Sequence, residues 1–373
     1  MTAWVADVLM RELGLAAAVV PLDQRAGCDL YRADGVSQSV LVKVGPPARL
    51  AHEADNLRLA STLVGDLAPA LIGYAETADG PAVLAMEYLP GSHLEPGGLR
   101  HAAWRSLVDG LLQLHSQGPG GRPRCCPLAP DFVTLSVGEE RYASLPELRQ
   151  LLIAEMARVP DLDLRVALAL FDDLAADVKA RPALFERPPC WVHADLWPEN
   201  MLVRGSRCRL VDWTWLKQSE YALDLANLKL TLDWVWPAWR AQTAFERLLR
   251  LYVNTFADDT LLTRMRFFLP IVSLTHLIQF GQGGADDPEN AAAMRACLAK
   301  ALRDRALWSL GGAHGRLVYA MAHRLRSEYG VADQHGVRTR AARVVARLMV
   351  AGRRVVRRDP AGHRASAAHE ARP

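Results

Sequence analysis

The chain has 373 residues, half of them hydrophobic and 23% charged, with a formal net charge of +3. Such a length and balance fit an ordinary globular protein with a sizeable core and exclude a collagen-like or charge-driven disordered chain. No uninterrupted apolar run reaches the roughly 18 residues that span a bilayer, so no transmembrane segment is expected.

Met1 to Leu22 has no basic start and carries Asp7, Arg11 and Glu12 among apolar residues. It reads as a first helix rather than a secretory leader. The six cysteines form no C-x-x-C pair, which suits free thiols in a reducing cytoplasm. Cys28–Ala33 and Ser39–Val44 flank Asp34-Gly35, a hairpin signal. Arg49–Val64 has helical periodicity, and Leu71–Ala75 and Ala82–Tyr88 read as strands around Asp79-Gly80. Residues 1–90 therefore predict a small α+β lobe, closed by the break at Pro90-Gly91.

Residues 91–330 predict a larger, mainly helical lobe. Helices are expected over Trp104–His115, Leu145–Val159, Leu164–Ala180 and most of 221–329. Gly118–Pro130 reads as a loop, and Met201–Val203 with Cys208–Val211 as a second hairpin. Residues 331–373 form a tail. Val337–Arg358 holds eight arginines and no acid. It predicts a basic amphipathic helix, either facing an anionic surface or packed with a solvated arginine face. The packed form is preferred, so no nucleic-acid partner is expected and the partner of the tail stays open. Residues 359–373 are expected to be disordered.

The chemistry concentrates in WVHADLWPENMLVRGSRCRLVDWTW, Trp191–Trp215. Asp195 lies two residues after His193 and five before Asn200, and a strand pair then leads to Asp212. Phosphoryl transfer needs a carboxylate that orients a hydroxyl and takes its proton, and oxygen ligands for magnesium. A loop with Asp and Asn, followed by a hairpin ending in Asp, presents all three to one point. Each residue alone is more often a cap or a turn; the ordered set inside apolar strands favours the functional reading. Lys43 stands in the apolar run VLVKV, where an ammonium needs partners.

This pattern resembles the aminoglycoside phosphotransferase and choline kinase-like family, whose fold is α+β, bilobal and protein-kinase-like. The resemblance runs over about residues 20–240 by motif order. It implies ATP and Mg2+ as cofactors, Asp195 as catalytic base, Asn200 and Asp212 as metal ligands, and His193 as structural. It also implies a Lys43–Glu53 pair at the nucleotide phosphates. Leu84–Gly91 resembles the interlobe hinge, so Met86 would back the adenine pocket. The carbonyl of Glu87 and the N–H of Leu89 would meet the adenine edge. Asp224 in YALDLANL would support the catalytic loop. Two departures stand out. The expected phosphate loop is DQRAGCDLYR, with only Gly27, and Ala194 stands where the family has Gly; a small side chain there reads as harmless.

The implied activity is transfer of the γ-phosphate to a hydroxyl of a small molecule such as an aminoglycoside-like antibiotic, sugar or amino alcohol. A protein kinase is the poorer fit, for want of a Gly-rich loop. A catalytically silent nucleotide-binding module is the alternative from another class. For a polycationic acceptor the candidate acids are Asp233, Asp258, Asp259, Asp286, Asp287 and Glu289. For a stacking acceptor the candidate aromatics are Trp197, Trp215, Trp234, Trp236 and Trp239.

Overall fold

The computed structural model describes residues 1–25, 28–35, 38–77, 80–95, 99–118, 135–136, 142–143, 145–159, 162–185, 187–285 and 287–309. The expected loop at 118–130 and the arginine-rich helix at 337–358 lie, wholly or nearly so, outside these residues.

The first helix, α1 (Thr2–Leu13), is shorter than the expected Met1–Leu22. Gly14 ends it at φ 68, with Gly14 N–H donating to Met10 O and Leu15 N–H to Leu9 O. That left-handed cap suits a residue without Cβ and satisfies the terminal carbonyls. The chain then turns into strand β1 (Ala17–Arg25), which the sequence reading absorbed into the helix. Pro21 is tolerated there because β1 is an edge strand with a register shift at Pro21/Asp23.

β2 (Cys28–Gly35), β3 (Ser39–Gly45), β4 (Leu71–Ala75) and β5 (Ala82–Glu87) complete an antiparallel sheet of order β1-β2-β3-β5-β4. α2 (Pro47–Val64) crosses between β3 and β4. Alternation decides the two faces. Val40, Val42, Val44, Val83 and Ala85 bury against Val5, Val8 and Leu9 of α1, which recur at helical spacing. Each fully buried valine or leucine among them contributes about 1.5–3 kcal/mol. The opposite face carries Lys43, paired with Leu84, and Leu41, paired with Met86.

Gly91 marks the passage to the helical part. A Cβ there would sit 3.0 Å from the Val203 carbonyl oxygen, so only glycine allows β6 (Ser92–His93) to pair with β10 (Met201–Arg204). β10 also pairs with β11 (Arg207–Leu210), as the hairpin signal predicts. α3 (His101–Ser116) follows β6; β7 (Leu135–Ser136) and β8 (Tyr142–Ala143) form a ribbon before α4 (Leu145–Met156) and α5 (Leu164–Ala180). Asp163 caps α5 through the backbone N–H groups of Arg165 and Val166.

β9 (Cys190–Val192) pairs with β12 (Lys217–Ser219), which the sequence reading missed. Then come α6 (Tyr221–Val235), α7 (Ala238–Phe256), α8 (Leu261–Gln282) and α9 (Pro288–Ser309). α6 is buried on nearly every side, as is α8, which packs on α4, α5 and α6. By length and composition α8 is apolar enough to cross a membrane, but 83% of its most apolar stretch is buried in the protein. The residues from Met1 to Arg305 pack as one unit.

Candidate functional site

The loop from His193 to Asn200 leaves β9 and ends in a single 3-10 turn, Pro198–Asn200, before β10. Its backbone is held from α6. Asp224 is fully buried and accepts the N–H groups of His193 and Ala194, both at 2.7 Å. Its Oδ2 also meets His115 Nε2 at 3.0 Å, and His115 Nδ1 lies 2.7 Å from the Tyr252 hydroxyl. Burial alone would raise the Asp224 carboxyl; the His115 contacts and the His193 N–H outweigh it and hold the group low.

His193 is fully buried, with Nε2 donating to Val211 O at 3.2 Å and Nδ1 accepting from Asp195 N–H at 3.3 Å. Burial lowers its pKa, so a neutral ring fixes the loop geometry. Ala194 adopts φ 65. The change from the family glycine is therefore not free: a Cβ in this region costs about 1–2 kcal/mol. The N–H of Ala194 and that of His193 before it, both donated to Asp224, hold the strained residue in place.

Asp195 Oδ2 accepts from Asn200 Nδ2 at 2.7 Å, and the same nitrogen reaches Asp195 O at 3.0 Å. Burial, followed by the charge of Asp212, raises the Asp195 carboxyl to about 7; the Asn200 bond opposes the rise. A carboxylate with that affinity is matched to taking a proton near neutral pH.

Asp212 ends the β10–β11 hairpin at φ 61, just before the 3-10 turn Trp213–Trp215. Thr214 Oγ1 donates to its Oδ1 at 2.8 Å, and Lys43 Nζ lies 3.6 Å from that oxygen. The same ammonium donates to Glu53 Oε1 at 2.5 Å. The expected Lys43–Glu53 pair is thus present, and it extends to Asp212. Burial would lower the Lys43 ammonium, but Glu53 and Asp212 together raise it; in return, Lys43 overcomes burial to hold Asp212 low. Asn56 Nδ2 donates to Thr214 O at 2.9 Å, tying α2 to the Asp212 turn. Trp213 packs edge-on to His193 at 4.6 Å and donates to Leu210 O.

Arg49 was missed from the sequence. It lies one turn before Glu53 on α2, and its charge acts on both Asp212 and Cys28. The arginine four residues before the Glu is the signal that could have marked it. In DQRAGCDLYR, where a phosphate-covering loop was expected between the first two strands, Arg25 pairs with Cys28, so most of the segment is strand.

Of the hinge residues, Met86 and Leu89 are buried. The Glu87 side chain makes a bidentate pair with Arg209 of β11, at 2.5 and 2.8 Å, and Arg209 also reaches Ala68 O. Arg209 thus joins the sheet region to the helical region.

Two of the candidate acids, Asp233 and Asp258, are engaged internally, while Asp259, Asp287 and Glu289 are exposed. Asp233 is held by Lys229 at 2.5 Å, Lys300 at 2.6 Å and Arg303 at 3.4 Å. Asp258 is held by Arg264 at 2.7 Å, with the Tyr221 hydroxyl also bonded. Asp287 accepts the Glu289 N–H at the start of α9. Asp286 lies outside the described residues. Among the tryptophans, Trp197 meets Trp234 edge-on at 5.2 Å beside the loop, while Trp236 packs on Trp104. Trp234 is 47% exposed.

A hard divalent cation seeks oxygen donors. Asp212 is held ionised, and Asn200 turns its nitrogen to Asp195, which leaves its amide oxygen for such an ion. The donor set fits.

Residues 21–268 match the sequence profile of the Phosphotransferase enzyme family. The fold is similar to that of aminoglycoside phosphotransferase APH(4)-Ia, in a complex with ADP and hygromycin B. The TM-score is 0.54 at 15% identity, covering 80% of this chain and 98% of that one. Spectinomycin phosphotransferase APH(9)-Ia, bound to ADP and spectinomycin, gives 0.55 at 13% identity over 82% and 98%. Plasmodium vivax ethanolamine kinase gives 0.55 at 14% identity over 80% and 87%. No curated protein sequence matches the chain.

Proposed function

The chain belongs to the phosphotransferase enzyme family, and from that premise we propose that it moves the γ-phosphoryl group of ATP to a hydroxyl of a small molecule. One observation carries this reading: a carboxyl raised to about 7, Asp195, shares its loop with Asn200 and feels the charge of Asp212, which Lys43 approaches to 3.6 Å. An acid–base group, two oxygen ligands and a paired ammonium are the parts phosphoryl transfer requires.

Asp195 accepts a hydrogen bond from the acceptor hydroxyl, aims its oxygen at the γ-phosphorus and takes its proton; ADP departs. Lys43, steadied by Glu53, meets the phosphates. Met86 backs the adenine pocket, while the Glu87 carbonyl and Leu89 N–H bond the adenine edge. Asn200 and Asp212 would hold Mg2+, which when bound neutralises charge on the phosphates. Support for ATP comes from similar folds solved with ADP. Those proteins act on different acceptors, so the acceptor must be found by assay.

Calorimetry with Mg-ATP, with and without EDTA, tests the nucleotide part. An ADP-release screen over aminoglycosides, peptide antibiotics, amino alcohols and sugars tests the acceptor part. Asp195→Ala is expected to fold and bind Mg-ATP but not to turn over. Turnover by that variant at the wild-type rate would remove Asp195 from the mechanism.

A further inference from the structure

Along one face of α6 stand three polar side chains, Asp224, Asn227 and Thr231, at i, i+3 and i+7, apart from the Lys229–Asp233 ion pair of the same helix. They meet the catalytic loop in chain order. Asp224 takes the N–H groups of His193 and Ala194. Asn227 Nδ2 donates to Ala194 O at 3.5 Å. The Thr231 hydroxyl donates to Leu196 O. The groups on both sides of Asp195 are therefore set by one helix face.

The Asn227 contact is the longest of these, so its amide needs orienting from elsewhere. His276 of α8 supplies this, with Nε2 donating to Asn227 Oδ1 at 3.1 Å. His276 is buried, and burial lowers its pKa to about 4, so the ring stays neutral at physiological pH. Gln279, one turn along α8, bonds the ring as well. The other side of His276 is covered by Trp197, whose indole meets it edge-on at 4.5 Å and also touches Trp234. The loop thus contacts this pair at residue 194 by a carbonyl and at residue 197 by an indole, with Asp195 between.

We propose that Asn227 and His276 are positioning residues that act as one unit, fixing the peptide before Asp195 and coupling the Trp197 wall beside the site to the aim of that carboxylate. This deepens the phosphotransfer reading and rests on it for its kinetic arm. When Asn227 loses its orientation, the Ala194 carbonyl is freed on its acceptor side and the strained residue is held by Asp224 alone. Asp195 then wanders while the Lys43–Glu53 end of the site is untouched.

The test uses Asn227→Ala, His276→Ala and the double variant in the full chain, with two readouts. Hydrogen–deuterium exchange needs no substrate: amides of residues 194–197 should exchange about tenfold faster in each variant, with α2 and β3 unchanged. The second readout is slow hydrolysis of Mg-ATP by water, in which water attacks the γ-phosphorus and yields ADP, phosphate and a proton. kcat should fall about 30-fold, while the Kd for Mg-ATP stays within about twofold and the double variant is no worse than either single one. Fully additive losses, or unchanged loop exchange in both single variants, would overturn the proposal. Faster exchange spread over the whole helical region would also overturn it, since that marks a general packing role. A wild-type protein that neither binds nor hydrolyses Mg-ATP would sink the phosphotransfer reading instead, and the exchange arm alone would then decide the brace.

Discussion

Asp195→Asn should stabilise the protein while ending its turnover. In the folded chain the Asp195 carboxyl rises from an ordinary 3.8 to about 7, through burial and the neighbouring Asp212 charge. Because the folded value lies above the unfolded one, the folded state binds this proton more tightly. Ionising the group therefore costs stability: nothing below about pH 4, an increasing amount between 4 and 7, and the full amount above 7. At about 1.4 kcal/mol for each unit of pKa, the full cost is at most roughly 4 kcal/mol. Water reaches part of this side chain and screens the charge, so about 2 kcal/mol is the working figure. Asparagine has nearly the same shape, and its oxygen can still accept the Asn200 amide. Urea denaturation in EDTA should show the variant about 2 kcal/mol more stable near pH 8 and no different near pH 4. Mg-ATP should narrow the gap, because a cation beside Asp212 removes much of the repulsion. An equal or lower stability near pH 8, or a gain that does not change with pH, would refute this account of the site.

Lys43→Met should weaken Mg-ATP binding about 10- to 100-fold by calorimetry. It should also lower stability by about 3 kcal/mol, since Glu53 is left as a buried charge without its partner; adding Glu53→Gln should restore part of that. Ala194→Gly should keep activity and raise stability by about 0.5 kcal/mol, the relieved φ 65 strain exceeding the entropy of glycine. Arg209→Met should cost about 2 kcal/mol at neutral pH. Hydrogen bonding to Arg209 lowers the Glu87 carboxyl, so this contribution exists above the ordinary glutamate range and fades in acid. The deficit of the variant, followed by denaturation at several pH values, should therefore shrink as pH falls.

What was legible in the sequence was local chemistry. Asp195, Asn200 and Asp212 stand within one short stretch, and an ammonium in VLVKV announces its need for a partner. Their spacing alone brings them to one loop and hairpin. The end of α1 was hidden because the alanines after Gly14 suit a helix as well as a strand, and a single glycine outweighed them. α6 hid two of its three loop contacts for a different reason. A helix buried on all sides has no solvent-facing side in the sequence pattern against which Asn227 and Thr231 stand out, and their partners lie more than thirty residues away. Asp233 and Asp258 misled in the opposite direction. Carboxylates scattered among arginines look like solvated surface, but Asp233 of α6 pairs with Lys300 of α9, and Asp258, in the turn before α8, pairs with buried Arg264 of α8. The Glu87–Arg209 pair spans 122 positions, and no periodicity reports such a contact.

The position of α8 bears on the order of assembly. On leaving the ribosome this helix is apolar enough to be mistaken for a membrane span or to aggregate. The helices that bury it, α4, α5 and α6, all precede it in the chain. Its bed is thus already synthesised when it emerges, and its exposure lasts only as long as docking takes. A circular permutation that moved α8 ahead of α4 would keep every contact of the finished fold yet lengthen that interval. Its cost would be read in yield rather than in stability.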